Sequence, residues 1–398
     1  STTERAATCA VANDVTSDSY HRSDRPLRFI LAASLLTLSL GTVHGFSVLI
    51  EPLEDLFELG RTATSLFYSL SLVCLTIAVL FSPRLLHRWS PLTNSLITCS
   101  IGALGCGIAA LADTPIVFAV GYGVLFGSAN GLGYALALQL AAQAYPNRRG
   151  LTIGTVTALY GLGASFFAIC TGLAPNDDKV GGAMVTLSVL LGLVLLVNAL
   201  LLNRARTTQE ATPSEQMGRR TLGLQIRLWI GYLTTCIAGL MVLGHAATIL
   251  MHSGGTRQDA TRVVFLVGAT TAAGGLAAGW LNDRVGRRVL MIALPIFSAI
   301  TLVSMTQVTG QLMILALGMT GAVYGATITV FPSSISRIFG LHGGVIVYGR
   351  IMTAWGLAGL VGPALAGMTY DITGSYSPAL YIAAVGAIVA IWSINNID

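Results

Sequence analysis

Gly279-Trp280-Leu281-Asn282-Asp283-Arg284-Val285-Gly286-Arg287-Arg288 gathers an acid, three arginines and two glycines between two long apolar runs, 260–281 and 288–308. The glycines permit a tight turn, and the bases are costly in hydrocarbon, so the segment reads as a short loop at a membrane face. Each flanking run has about the 20 apolar residues that a crossing helix needs. Counting outward in both directions gives twelve such runs: 29–50, 62–82, 92–112, 115–143, 150–173, 182–202, 226–251, 260–281, 288–308, 311–335, 343–369 and 377–394. The composition agrees, with 54% hydrophobic and only 10% charged residues over 398 positions, where a soluble domain carries roughly a quarter charged. An ordinary cytosolic enzyme, a disordered chain and a secreted disulfide scaffold are thereby excluded. A membrane β-barrel fails because the runs lack two-residue alternation. The expected fold class is an all-α membrane protein of twelve transmembrane helices.

The basic residues orient these helices. With the amino terminus inside, and with Arg227 and Arg262 at span ends counted with the adjoining segments, seventeen of the 22 Lys and Arg fall inside and four outside, leaving Arg350 within a span. The positive-inside rule then puts both termini in the cytoplasm of a multi-pass protein of the cytoplasmic (inner) membrane. The arginines are scattered among loops, so the net charge of +5 does not point to nucleic acid. The longest connection follows span six and divides the chain into a disordered cytoplasmic tail (1–25), a six-helix bundle (26–202), a cytoplasmic linker (203–225) and a second six-helix bundle (226–398). A carrier built from two parallel repeats has this layout, with substrate held between the halves. Leu40-Gly41-Thr42-Val43-His44 in the first half is echoed by Leu240-Met241-Val242-Leu243-Gly244-His245 in the second. Five of the six cysteines lie in apolar runs, and neither a CxxC pair nor a phosphate loop occurs, so no metal or cofactor is expected.

The Gly-x-x-x-Asp-Arg-x-Gly-Arg-Arg loop resembles the signature loop of the major facilitator superfamily. That resemblance implies two pseudo-symmetric six-helix bundles, alternating access, a monomer, and a conformational latch formed by Gly279, Asp283, Arg284, Gly286, Arg287 and Arg288. The equivalent first-half segment, Ser82-Pro83-Arg84-Leu85-Leu86-His87-Arg88-Trp89, lacks the acid and the glycines. Within the superfamily the chain resembles the oxalate:formate antiporter and monocarboxylate transporter branch. The residues carrying this are His44-Gly45-Phe46-Ser47-Val48-Leu49 with Pro52-Leu53, Gly131-x-Gly133-Tyr134, Tyr145-Pro146-Asn147-Arg148-Arg149-Gly150-Leu151, Tyr160-Gly161-Leu162-Gly163-Ala164, and Tyr348-Gly349-Arg350 leading to Thr353-Ala354-Trp355 and Gly362-Pro363. Two departures matter. The middle of span eight, Thr270-Thr271-Ala272-Ala273-Gly274-Gly275, holds no base where oxalate carriers place an Arg, and Trp355 stands where they place a Lys in span eleven, which argues against oxalate itself. The Arg and Gly-Pro patterns of drug exporters are also missing.

Candidate binding residues follow from cost and position. Arg350 offers a planar fork for a carboxylate, or alternatively a structural contact at a helix end. His44 and His245, at matching places in the two halves, could add charge or take up a proton, or serve as neutral packing. No acid falls at mid-membrane, so the pathway is expected to be neutral to positive and to favour anions. Asn130 and Tyr134, four apart, share a helix face; Tyr68, Tyr160, Tyr324 and Trp355 lie in spans that line the cavity in the family. These residues suit a small organic anion, a monocarboxylate first, moved by exchange against a counter-anion or with protons. The alternatives are an exporter of amphipathic drugs or metabolites and, without a motif to support it, a membrane-embedded enzyme or sensor.

Overall fold

The computed structural model describes residues 26–145, 149–172, 179–203, 220–285 and 287–395. These form twelve helices of membrane-crossing length and composition: α1 (Pro26–Phe57), α2 (Arg61–Leu86), α3 (Pro91–Ala110), α4 (Pro115–Ala144), α5 (Leu151–Thr171), α6 (Lys179–Leu201), α7 (Leu222–His252), α8 (Arg257–Asn282), α9 (Arg288–Met305), α10 (Gly310–Phe339), α11 (Val347–Thr373) and α12 (Ser377–Asn395). No strand occurs among the described residues. The tail 1–25 and all but the margins of the linker 203–225 lie outside them. Below, the end of the bundle where α2 and α8 begin is called outer, after the charge bias.

The ends follow local chemistry. Thr114 accepts a hydrogen bond from the Val117 backbone N–H at 3.4 Å, with Pro115 at the first position of α4. Thr256 and Asp259 close α8 with a reciprocal capping box. Two readings of the sequence need correction. The segment 82–89 is not a loop: helical winding continues from α2 through Pro83 to Arg88. The chain likewise stays helical between α10 and α11, although Trp355 hydrogen-bonds Tyr324 at 2.9 Å. Thirty-one residues of straight helix would separate that pair by about 46 Å, so the winding must bend the chain back on itself.

Helix pairing repeats between the halves. In the first, α1 packs on α5, α2 on α4 and α3 on α6; in the second, α7 packs on α11, α8 on α10 and α9 on α12. Across the halves, α2 meets α11 and α5 meets α8. Adding six to each helix number turns one cross-half pair into the other, which is the relation expected of pseudo-twofold symmetry. The most enclosed helices are α7 and α1, whereas only 28% of α6 is buried. Val189, Leu193, Leu196 and Leu200 leave an apolar stripe exposed on α6, as suits contact with hydrocarbon.

Winding departs from α at two places that matter for the interior. Gly41–Leu49 of α1 is 3₁₀-helical, and Ala119–Phe126 of α4 is π-helical. In 3₁₀ winding, residues three apart eclipse. Gly41, His44 and Ser47 therefore share one face of α1. Close backbone approach also needs glycine here, because a methyl group at Gly41 would collide with the Tyr160 carbonyl of α5.

Candidate functional site

Between the halves, near mid-membrane, lies a cleft lined by His44, Leu75, Tyr134, Tyr160, Tyr232, Tyr324, Ile328, Tyr348, Met352 and Trp355. It encloses about 380 Å³ of non-atom space, part of it open to solvent. Seven of these ten residues are aromatic or His, so the walls are apolar faces with polar edges. The rings are ordered by one another: His44 stands edge-on to Tyr160 at 5.3 Å and to Tyr324 at 6.3 Å, and Tyr134 lies 4.9 Å from Tyr160.

Hydrogen bonds fix the polar edges. Tyr160 donates to Asn130 Oδ1 at 2.9 Å, and Asn130 Nδ2 donates to the Leu40 carbonyl at 2.6 Å. In the second half Trp355 Nε1 donates to the Tyr324 hydroxyl at 2.9 Å. One bond thus joins α4 to α5 and the other α10 to α11, at symmetry-equivalent places with different chemistry. Because the Tyr324 oxygen accepts from Trp355, its own O–H is left to donate toward the cleft. His44 Nδ1 is 2.8 Å from the Tyr68 hydroxyl in a buried hydrogen bond.

Of the residues singled out in the sequence, His44, Tyr134, Tyr160, Tyr324 and Trp355 meet on this cleft, while Asn130 and Tyr68 stand behind it as partners of Tyr160 and His44. Arg350 does not belong to the lining. It lies toward the inner end of α11, exposed, its Nη1 donating to Gln225 of α7 at 3.4 Å. His245 is also elsewhere, fully buried near the outer end, where its Nε2 lies 2.9 Å from Ser65 Oγ. Tyr232 was missed because, in the sequence, a Tyr in an apolar run reads equally as helix packing. Tyr348 was noticed only as part of a motif.

The outer end is closed by a network between halves. Arg61, at the start of α2, holds Glu54 of α1 through two bonds of 2.5 and 2.7 Å. Its Nη1 donates to the Tyr376 hydroxyl at 2.6 Å, and its guanidinium lies 4.6 Å from the Tyr370 ring centroid. Tyr376, which follows α11, donates in turn to Thr248 of α7 at 2.9 Å. Burial pushes the Tyr376 phenol up to about 12, so it stays neutral at physiological pH. Asp371 of α11 accepts from the backbone N–H groups of Arg61 and Thr62 at 2.9 and 2.8 Å. It thereby caps the amino terminus of a helix in the other half. Deeper along the same seam, Ser69 donates to the Leu360 carbonyl at 3.2 Å, and on the other cross-half seam Ser165 of α5 donates to the Phe265 carbonyl of α8 at 2.6 Å.

At the inner end, the side chains of Asp283 and Arg287, and Gly286 altogether, lie outside the described residues. Arg284 stacks on Trp280 of its own helix at 3.9 Å, and Arg288 donates to the Asn395 carbonyl at 2.9 Å. Gly279 lies near Thr329 of α10, whose methyl would be 3.6 Å from an added Cβ. Among the described residues no cluster of metal-ligating side chains occurs.

Comparison with known proteins joins this geometry. The family model of the Major Facilitator Superfamily matches residues 228–395. The MFS-type transporter YhjX of Escherichia coli K12 is 26% identical over 83% of this chain and 85% of its own length. Mouse monocarboxylate transporter 11 is 26% identical over 87% and 81%, and the oxalate:formate antiporter of Oxalobacter formigenes is 21% identical over 91% and 88%. Among solved structures, the inward-open xylose transporter XylE of E. coli superposes with a TM-score of 0.75 at 16% identity, covering 94% of this chain and 96% of that one. A bacterial homolog of the human lysosomal transporter Spinster gives 0.67 at 15% identity, covering 94% and 95%. With twelve helices paired in two related halves around a central cleft, the chain is a multi-pass membrane protein with the major facilitator fold, and its residues 228–395 match that superfamily's model.

Proposed function

We propose that the protein carries a small organic anion, a monocarboxylate with an apolar or aromatic body, through the aromatic cleft by alternating access. The observation that carries the reading is the cleft itself, in which apolar faces surround a few fixed donors, the pattern of a small-ligand site. The Tyr324 O–H and His44 supply hydrogen bonds for a carboxylate, and the rings of Tyr134, Tyr160, Tyr232 and Trp355 take the body. No Asp or Glu stands in the described lining, so anions meet no repulsion from it. Relatives whose names specify monocarboxylate or oxalate:formate transport support the same substrate class. Both termini are assigned to the cytoplasm of the inner membrane, and the domains to 26–202 and 226–398 joined by a cytoplasmic linker. The closed seam at the outer end then corresponds to a state accessible from the cytoplasm.

A second reading keeps one observation in its favour. The described lining holds neither Lys nor Arg, which would also suit a neutral amphipathic substrate. Counterflow of radiolabelled lactate into proteoliposomes separates the two. The anion reading expects saturable exchange, with KM raised about tenfold by Tyr324→Phe or His44→Asn through the loss of a hydrogen bond to a charged group, worth about 1.5–3 kcal/mol. Absent lactate exchange together with transport of neutral amphipaths would favour the second.

A further inference from the structure

A second cleft lies outward of the first, between α1, α5, α6, α7 and α8. Its polar lining is Ser47, Glu51, Thr171, Lys179, Arg257 and Thr261, and it encloses about 560 Å³ of non-atom space, part of it open to solvent. Three observations distinguish it from a surface furrow. Ser47 is 1% exposed, lines the cleft, and its hydroxyl has no hydrogen-bond partner. A hydroxyl left so is uncommon in a protein interior and calls for a partner supplied from elsewhere. Second, Lys179 and Arg257 stand with Glu51 as the one acid of the described lining. The nearest approach of Arg257 to that acid, 3.9 Å, is too long for a hydrogen bond, and the Arg257 side chain is 71% exposed. The Arg257 charge is therefore largely available to a ligand. Third, the 3₁₀ winding of Gly41–Leu49 sets Ser47 on the same face of α1 as His44, about 6 Å further out at 2.0 Å per residue. One face of one helix thus leads from this cleft to the aromatic one.

We infer that the outer cleft is a docking site for the carboxylate of an organic acid, ahead of the aromatic cleft on the transport path. Lys179 and Arg257 provide the charge and Ser47 a hydrogen bond. The inference deepens the anion reading above and rests on it. It also accounts for how a path whose described central lining has no Lys or Arg can select anions: the charge is read at the outer cleft, and the body is read between the rings.

Binding of benzoate and of benzamide, a neutral molecule with the same ring, tests this by isothermal titration of the purified full-length protein. Wild type should bind benzoate about tenfold more tightly than benzamide, a preference that added salt weakens. Lys179→Gln with Arg257→Gln should abolish the preference, and Lys179→Arg with Arg257→Lys should retain it. Ser47→Ala should weaken benzoate binding without lowering the thermal unfolding temperature, because the hydroxyl has no protein partner to lose. A benzoate preference that persists in the double Gln variant overturns the docking site, as does wild type with no preference. Lactate exchange intact in either case would leave the transport reading standing, so the two can fail separately.

Discussion

Asn130 shows how much one buried amide can organise. Its Nδ2 holds the Leu40 carbonyl, where α1 enters 3₁₀ winding, and its Oδ1 accepts from Tyr160 on the cleft wall. Replacing it with Ala leaves both the buried Tyr160 hydroxyl and the Leu40 carbonyl without their partner, at a cost of about 1–3 kcal/mol each. Thermal unfolding in detergent should therefore fall by several degrees in Asn130→Ala and by less in Tyr160→Phe, which leaves only Asn130 Oδ1 unmatched and keeps the bond to Leu40. Equal losses would show that the amide acts through packing alone. At this scale the sequence was informative where a polar residue interrupted an apolar run, as with His44, Asn130 and Tyr160. At Arg350 it left a carboxylate partner and a structural contact both open, and the bond to Gln225, 125 residues away, had no local signal.

Among the elements, the seam of α2 against α11 depends on small residues. A methyl group at Gly356 would stand 2.6 Å from Thr76 Oγ1, and one at Gly359 2.8 Å from Leu72 Cβ. Both glycines therefore allow α11 to lie directly on the other half. Gly356→Leu is expected to wedge the seam, cutting the lactate exchange rate about tenfold or more, since overpacking a close contact costs about 1–3 kcal/mol, while the protein still inserts and purifies as a monodisperse species. Unchanged exchange would mean that the seam is not held at this contact during the cycle. The helices themselves were legible from apolar length. Helix ends were less so: Glu51 and Glu54 read as loop residues, yet α1 continues to Phe57. Arg61 and Asp371 lie 310 residues apart, so the partnership that stabilises this end had no local signal.

For the whole molecule, closure at the outer end rests on a few cross-half bonds, centred on Asp371 capping α2 and on Arg61 bridging Glu54 to Tyr376. Asp371→Asn removes the charge while keeping one acceptor, and should loosen this end. Distances between spin labels at Glu58 and Thr373 should gain a longer population relative to wild type, whereas an unaltered distribution would assign closure to the apolar seam. Such loosening is what a carrier exchanging access between two faces must undergo in each cycle. The twofold relation of the halves was visible in the sequence only as the His44 and His245 echo, because the equivalent bonds Tyr160–Asn130 and Trp355–Tyr324 use different residue types. The measurement that bears most directly on the account is competition of lactate counterflow in proteoliposomes by a panel of organic acids and by the lipophilic cation tetraphenylphosphonium. The account predicts saturable exchange inhibited by monocarboxylates and indifferent to the cation; exchange driven by the cation, with no effect of any acid, would contradict it.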